Sequence, residues 1–317
     1  MNADAATVRR VAPGTRSILV AFSLLTLLAT SQLYVLSSRT RDNFAWTVQP
    51  SLTAAFLGAG FASGFVLVSL SLAARLWAQI RLAYFTIFVF TMLTLVATLL
   101  HLNEFHWIPG ESTRFARLAA LFWLIIYVAV PIAMLGALRT QLRVPGSDPP
   151  RRAPLPRWIG FLLVAQGLTL LPIGAALFFM PDWAARFWPW QLNPLTARAI
   201  AAWLLAIGVA AGLGLREHDS ARLQTPAIAY TVFAVLQLLA IARYSSALRW
   251  NEPVAWLYLS ALVGMGLAGA AGWRAAAHRI DPDYATGVAK TADWVQKQLD
   301  YGPLDTPEAT EQPGSSS

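Results

Sequence analysis

Eight long apolar stretches, almost free of charge, constrain this chain more than any other feature. About 20 residues of α-helix cross a ~30 Å hydrocarbon core. The stretches run Ser17–Leu36, Leu52–Leu72, Leu82–Leu102, Leu118–Leu138, Trp158–Met180, Ala197–Leu215, Ala227–Ala242 and Val254–Trp273. The seventh is the shortest, and a start near Leu223 would lengthen it. Helices of a soluble fold need a polar face, and these stretches have none. In hydrocarbon, backbone N–H and C=O groups find no water, so each span must satisfy its own as a helix. The expected fold class is all-α: a polytopic integral membrane protein with eight transmembrane helices.

Charge confirms the pattern and orients it. Charged residues make up 13% of the chain, about half the ~25% of a soluble protein. The net charge of +8 comes mostly from arginine at stretch ends. No basic groove interleaved with aromatics is present, so nucleic acid is not an expected partner. On the side shared by both termini, Lys and Arg total 16, against eight on the opposite side. The positive-inside rule then places both termini in the cytoplasm of a bacterial plasma membrane. Cysteine is absent, which removes disulfides, thiolate metal sites and cysteine nucleophiles.

An internal duplication organises the chain. Leu25-Thr26-Leu27-Leu28 recurs as Leu168-Thr169-Leu170-Leu171, an offset of 143. Trp46-Thr47-Val48-Gln49-Pro50 recurs as Trp190-Gln191-Leu192-Asn193-Pro194, an offset of 144. The glycine pair Gly60 and Gly64 is echoed by Gly208 and Gly212, and Ala83-Tyr84 by Ala229-Tyr230. Matches in order at near-constant offset mark a repeat. Four spans per unit is even, so the halves share one orientation and form a parallel 4+4 arrangement. The glycine pairs predict close helix packing at the second and sixth spans.

The expected layout is a cytoplasmic tail over 1–16, repeat one over 17–143, a basic proline-rich linker over 144–156 and repeat two over 157–280. An amphipathic surface helix is expected over 281–302 and a disordered tail over 303–317. Arg9 and Arg10 ahead of the first apolar stretch, with the small residues Ala29-Thr30-Ser31 within it, raise the reading of a cleavable signal peptide. The counterpart of this span in the second half argues for its retention.

Unusual residues concentrate on the side away from the termini. Trp46 with Gln49, and Trp190 with Asn193, precede equivalent prolines. One reading is an interfacial aromatic belt with proline opening the next helix. The sharper reading is a pair of turns lining an outward-facing pocket, with Gln49 and Asn193 as hydrogen-bonding groups. Arg198 and Arg243 either snorkel to the interface or face inward to hold an anionic group, balanced by Glu104 or Glu252. His101, Glu104 and His106 form a sparse metal-ligand pattern, too thin for a site without converging partners. No cofactor is expected. No charged residue occupies the middle of a span, so a carboxylate relay for ion coupling is missing. Gln166 and Gln237 are read as interhelical hydrogen-bonding groups.

The segments Phe44–Gly60 and Leu99–His106, together with Trp188–Arg198 in the second half, resemble a group of uncharacterised actinobacterial-type multi-pass membrane proteins. That resemblance implies architecture only, since the group has no assigned activity. The functional expectation is binding or transport of a small molecule or lipid at an outward-facing site between the halves. The candidate residues are Arg198, Arg243, Gln49, Asn193, Trp46, Trp190, His101 and Glu104. The alternatives are a scaffold or accessory subunit with a membrane-protein partner, and a metal- or haem-dependent enzyme.

Overall fold

Where a helix begins and ends is set by residues just outside the apolar stretches. The computed structural model describes residues 8–279 except 111 and 152, with no side chains for 276–279. The expected surface helix over 281–302 and the tail beyond it lie outside the described residues. The described residues as far as Ala277 form one packed unit.

Among the described residues, eight helices are long and apolar enough to cross a membrane. They are α1 (Pro13–Thr30), α2 (Ser51–Leu72), α3 (Trp77–Leu100) and α4 (Arg114–Leu142). The remaining four are α5 (Arg157–Phe179), α6 (Pro194–Glu217), α7 (Ser220–Arg243) and α8 (Pro253–Arg279). A π-helical turn, Ser31–Val35, extends α1. Most helices outrun their apolar stretches, and at three of them a polar cap marks the added first turn. Thr113 accepts from Ala116 N at 3.0 Å and Asn193 from Thr196 N at 2.8 Å. Asp219 accepts from Ala221 N at 3.1 Å, which starts α7 at Ser220, seven residues before the apolar stretch begins. Such caps satisfy N–H groups that a helix leaves open at its first turn.

Short connections run the helices up and down. The near end of the bundle holds Pro13, the Leu72–Trp77 turn, the Leu142–Arg157 linker and the two-residue turn between α6 and α7. The far end holds the other four connections. Helix α2 packs on α1 and α7, and α6 on α5 and α3, so the first four helices meet the last four through α2–α7 and α3–α6. The perimeter is apolar: Phe161, Leu168 and Leu257 are each at least 70% exposed. An apolar outer surface of this kind is what a lipid environment requires.

Close approach is glycine-dependent at several crossings. A Cβ on Gly58 would stand 2.7 Å from the Leu33 carbonyl carbon and the Tyr34 Cα, both backbone. One on Gly60 would meet the Trp203 ring at 2.7 Å, and one on Gly208 the Leu171 side chain at 2.8 Å. Gly212 differs from the sequence expectation: nothing lies within 4 Å of its Cβ position. Gly64 also makes only ordinary contact, the nearest atom 3.7 Å from its Cβ position, so each glycine pair is close-packed at one member only. Gly58→Ala is expected to destabilise the protein by about 1–3 kcal/mol, because backbone cannot rotate out of the way. Gly212→Ala should be neutral or stabilise by up to about 1 kcal/mol through helix propensity. Thermal unfolding of both variants in detergent separates the two cases.

Candidate functional site

The eight residues singled out from sequence do not form one site, although Gln49 meets Asn193 and Arg198 meets His101. Trp46 and Trp190 are core residues, 3% and 0% exposed. Trp46 packs among Phe44, Phe105 and Trp123, with ring centroids 4.7, 5.1 and 5.0 Å away. Trp190 Nε1 donates to Thr53 Oγ1 at 2.8 Å. The Trp46 Nε1 is buried with no hydrogen-bond partner. Gln49 and Asn193 do share an open far-end depression of about 580 Å³, lined also by Asp182, Arg186 and Arg249. Asn193 spends its Oδ1 on the first turn of α6, accepting from Thr196 N and Oγ1.

Arg198 and Arg243 do not meet. Arg198 Nε donates to the Phe178 carbonyl at 3.0 Å, near the end of α5. Arg243 Nη1 donates to the Tyr34 carbonyl at 3.2 Å, in the turn that extends α1. Each arginine thus caps carbonyls at a helix C-terminus, where positive charge also complements the helix dipole. Neither is balanced by Glu104 or Glu252, since the four ion pairs among the described residues lie elsewhere. Arg198 does reach His101, whose Nε2 accepts from Nη1 at 2.6 Å. Burial, then the Arg198 charge, holds the His101 pKa below its ordinary value. A neutral imidazole is what this bond needs, because only an unprotonated nitrogen accepts. Glu104 is exposed in a short turn, Leu102–Glu104.

His106 has both ring nitrogens engaged, with Thr47 Oγ1 at 3.0 Å and the Phe44 carbonyl at 2.9 Å. A carbonyl only accepts, so Nδ1 carries a proton. No group of three potential metal-ligating side chains stands among the described residues.

Two further features were not singled out from sequence. The first is an ionic cluster at the near end. Arg81 of α3 pairs with Asp148 of the linker and with both carboxylate oxygens of Glu217 at the end of α6. Arg222 of α7 reaches Glu217 at 2.7 Å, Asp219 at 3.3 Å and the Pro149 carbonyl at 2.7 Å. Arg222, Glu217 and Asp219 are buried. The cluster joins groups far apart in sequence, which is why counting loop charges did not find it.

The second feature is a cavity of about 270 Å³ lined from all eight helices. Aromatic and aliphatic side chains dominate it, including Phe61, Phe90, Trp123, Trp203 and Phe233. Its polar lining is neutral, with no Asp, Glu, Lys, Arg or His. None of the eight sequence candidates lines it. Leu82, Ser220 and Leu223, the chain neighbours of Arg81, Asp219 and Arg222, do line it, so the ionic cluster sits beside its near end.

Eight membrane-length helices around an uncharged central cavity define an all-helical, multi-pass membrane protein. Compared with known protein families, with characterised proteins and with solved structures, the chain matches none.

The ionic cluster carries a graded stability prediction. Glu217→Ala removes one of the two carboxylates that face buried Arg222, leaving Asp219 and the Pro149 carbonyl, and should cost about 3 kcal/mol, the lower end for breaking a buried pair. Asp148→Asn, at the more exposed edge, should cost no more than about 1 kcal/mol. Denaturant or thermal unfolding in matched detergent reads the difference.

Proposed function

We propose that this protein binds a neutral lipophilic molecule, such as a lipid or another small apolar compound, within the membrane between two duplicated halves. The observation that carries this reading is the uncharged, aromatic-rich cavity at the centre of the bundle. A charged ligand group there would lose its hydration with no counter-charge to replace it, a loss far larger than ordinary binding energies. An uncharged ligand meets no such cost. Its volume lies just under the common range for small-molecule sites, about 300–1,000 Å³. The site is thereby moved inward from the far-end face that the sequence favoured.

The duplication is supported by hydrogen bonds that recur at the sequence offsets of 143 and 144. Trp77 N donates to the Arg9 carbonyl at 3.1 Å, and Ser220 N to the Ala153 carbonyl at 2.7 Å. His106 N donates to the Ala45 carbonyl, and Arg249 N to the Pro189 carbonyl, both at 3.0 Å. Trp107 Nε1 donates to the Leu102 carbonyl at 2.6 Å, and Trp250 Nε1 to the Ser245 carbonyl at 2.7 Å. The short helical turns Leu102–Glu104 and Ser245–Ala247 correspond in the same way. Under a two-fold relation the α2–α7 contact maps onto the α6–α3 contact, and both are extensive.

The near end is read as cytoplasmic, in a bacterial plasma membrane, from its excess of Lys and Arg. A chain without cysteine makes that reading simple to check. Ser147→Cys should react with an impermeant maleimide only in inverted vesicles, and Ser246→Cys only in right-side-out ones. The reverse pattern would overturn the orientation.

Gly64 provides the test of binding. It lines the cavity, and an added Cβ would make only ordinary contacts, the nearest 3.7 Å away. Gly64→Ala should therefore preserve folding, whereas Gly64→Leu should fill part of the cavity. Native mass spectrometry of protein released from membranes is expected to find a bound neutral lipophile. The mass should persist in Gly64→Ala and fall sharply in Gly64→Leu. An unliganded wild type, or equal occupancy in all three, would refute the reading.

A further inference from the structure

Most polar groups that line the cavity are already committed. Thr26 Oγ1 donates to the Phe22 carbonyl at 2.6 Å, Thr86 Oγ1 to Leu82 at 2.8 Å and Thr91 Oγ1 to Phe88 at 3.0 Å. Ser63 Oγ donates across to the Ala229 carbonyl at 2.7 Å, and Gln32 Nε2 to the Asn43 carbonyl at 3.0 Å. These bonds return hydroxyl and amide protons to backbone, as groups in hydrocarbon must.

Among the described residues the indole N–H groups of Trp158 and Trp203 also lack a partner but can only donate, whereas Gln166 of α5 and Tyr230 of α7 can accept as well. Both line the cavity, and neither makes a hydrogen bond to another described residue. Gln237 shows what a bilayer amide does when it serves packing. It is 0% exposed, donates to the Phe56 carbonyl at 3.0 Å and accepts from Tyr258 Oη at 3.4 Å. The interhelical role expected for both glutamines is thus filled by Gln237 and not by Gln166.

Depth adds to the contrast. Gln166 lies nine residues into α5 from Arg157, and Tyr230 ten residues into α7 from Ser220. At ~1.5 Å per residue each sits ~14–15 Å from the near end, close to half of a ~30 Å hydrocarbon core. An amide and a phenol at the bilayer midplane, without internal partners, carry a desolvation cost that a ligand group would relieve.

We propose that Gln166 and Tyr230 recognise a neutral hydrogen-bonding head, a hydroxyl or carbonyl, on the lipophilic molecule that fills the cavity. This rests on the binding reading above and adds the ligand's chemical class: an amphiphile with an uncharged polar group, as in a long-chain alcohol, ketone or quinone. The chemistry is complementary on both sides. The glutamine amide both donates and accepts, and the phenol does likewise, so either a carbonyl or a hydroxyl can be satisfied. A pure hydrocarbon would leave both groups unpaired. A site built to hydrogen-bond a ligand discriminates strongly against an analogue that lacks the partner group.

The test uses two photoaffinity probes on the full chain in nanodiscs: a long-chain alcohol and the matching alkane, each carrying a terminal diazirine. Crosslinks are mapped by peptide mass spectrometry. The alcohol should label cavity residues more heavily than the alkane. Gln166→Leu and Tyr230→Phe should each lower alcohol labelling by about tenfold, the scale of one lost hydrogen bond. Alkane labelling should be unchanged, which guards against a cavity that has merely collapsed. Equal alcohol labelling in wild type and both variants would overturn the proposal while leaving cavity binding intact. Failure of both probes to label the cavity would instead remove the binding reading itself.

Discussion

Hydrocarbon offers no hydrogen bond, and most of this structure answers to that one constraint. Each span is a helix because a helix closes its own backbone bonds, and several threonine hydroxyls within spans fold back on carbonyls three or four residues earlier. Thr26, Thr86, Thr91 and Thr169 all do so. Groups with more demand move to the ends. Asp219 and Asn193 cap helices there, and Arg198 and Arg243 each bind a carbonyl near a helix terminus. Close helix crossings fill the space between, as where Trp203 lies flat against Gly60 and meets Phe61 and Phe90 at 5.4 and 4.0 Å between centroids.

The same constraint explains what the sequence disclosed. Span number and helical class follow from local composition, because charge exclusion is a property of each stretch by itself. Helix ends were harder: Ser220 starts α7 because Asp219 caps it, a polar signal outside the apolar window. Function-related features were hardest. Trp46 and Trp190 stand out in a sequence as interfacial residues, yet a ring pays equally well in a core, and here both are buried. The ionic cluster needs Arg81, Asp148 and Glu217 to meet from three separate parts of the chain. A cavity lined from eight helices has no local signature at all.

The halves are not interchangeable at the near end. Arg81 reaches the α6–α7 turn and pairs with Glu217 there. At the repeat offset of 143, the positions matching Arg81, Asp219 and Arg222 are Gln224, Leu76 and Gln79. The α2–α3 turn carries Arg75 but no carboxylate, so among the described residues the ion pairs gather at the α6–α7 turn. The far end is instead closed by aromatic packing, with Phe56, Trp188, Trp190 and Tyr258 ring centroids 5.3–6.3 Å apart. Ionic contacts at one end and aromatic ones at the other give the cavity chemically different ends, and Gln166 and Tyr230 lie between them.

The central claim concerns what occupies the space between the halves, and direct imaging tests it best. A cryo-electron microscopy map of the protein in nanodiscs made from its host's lipids should contain elongated non-protein density along Phe61, Phe90 and Trp203. One end of that density should approach the Gln166 amide. A map at side-chain resolution in which the cavity is empty, or closed by the surrounding side chains, would contradict the account.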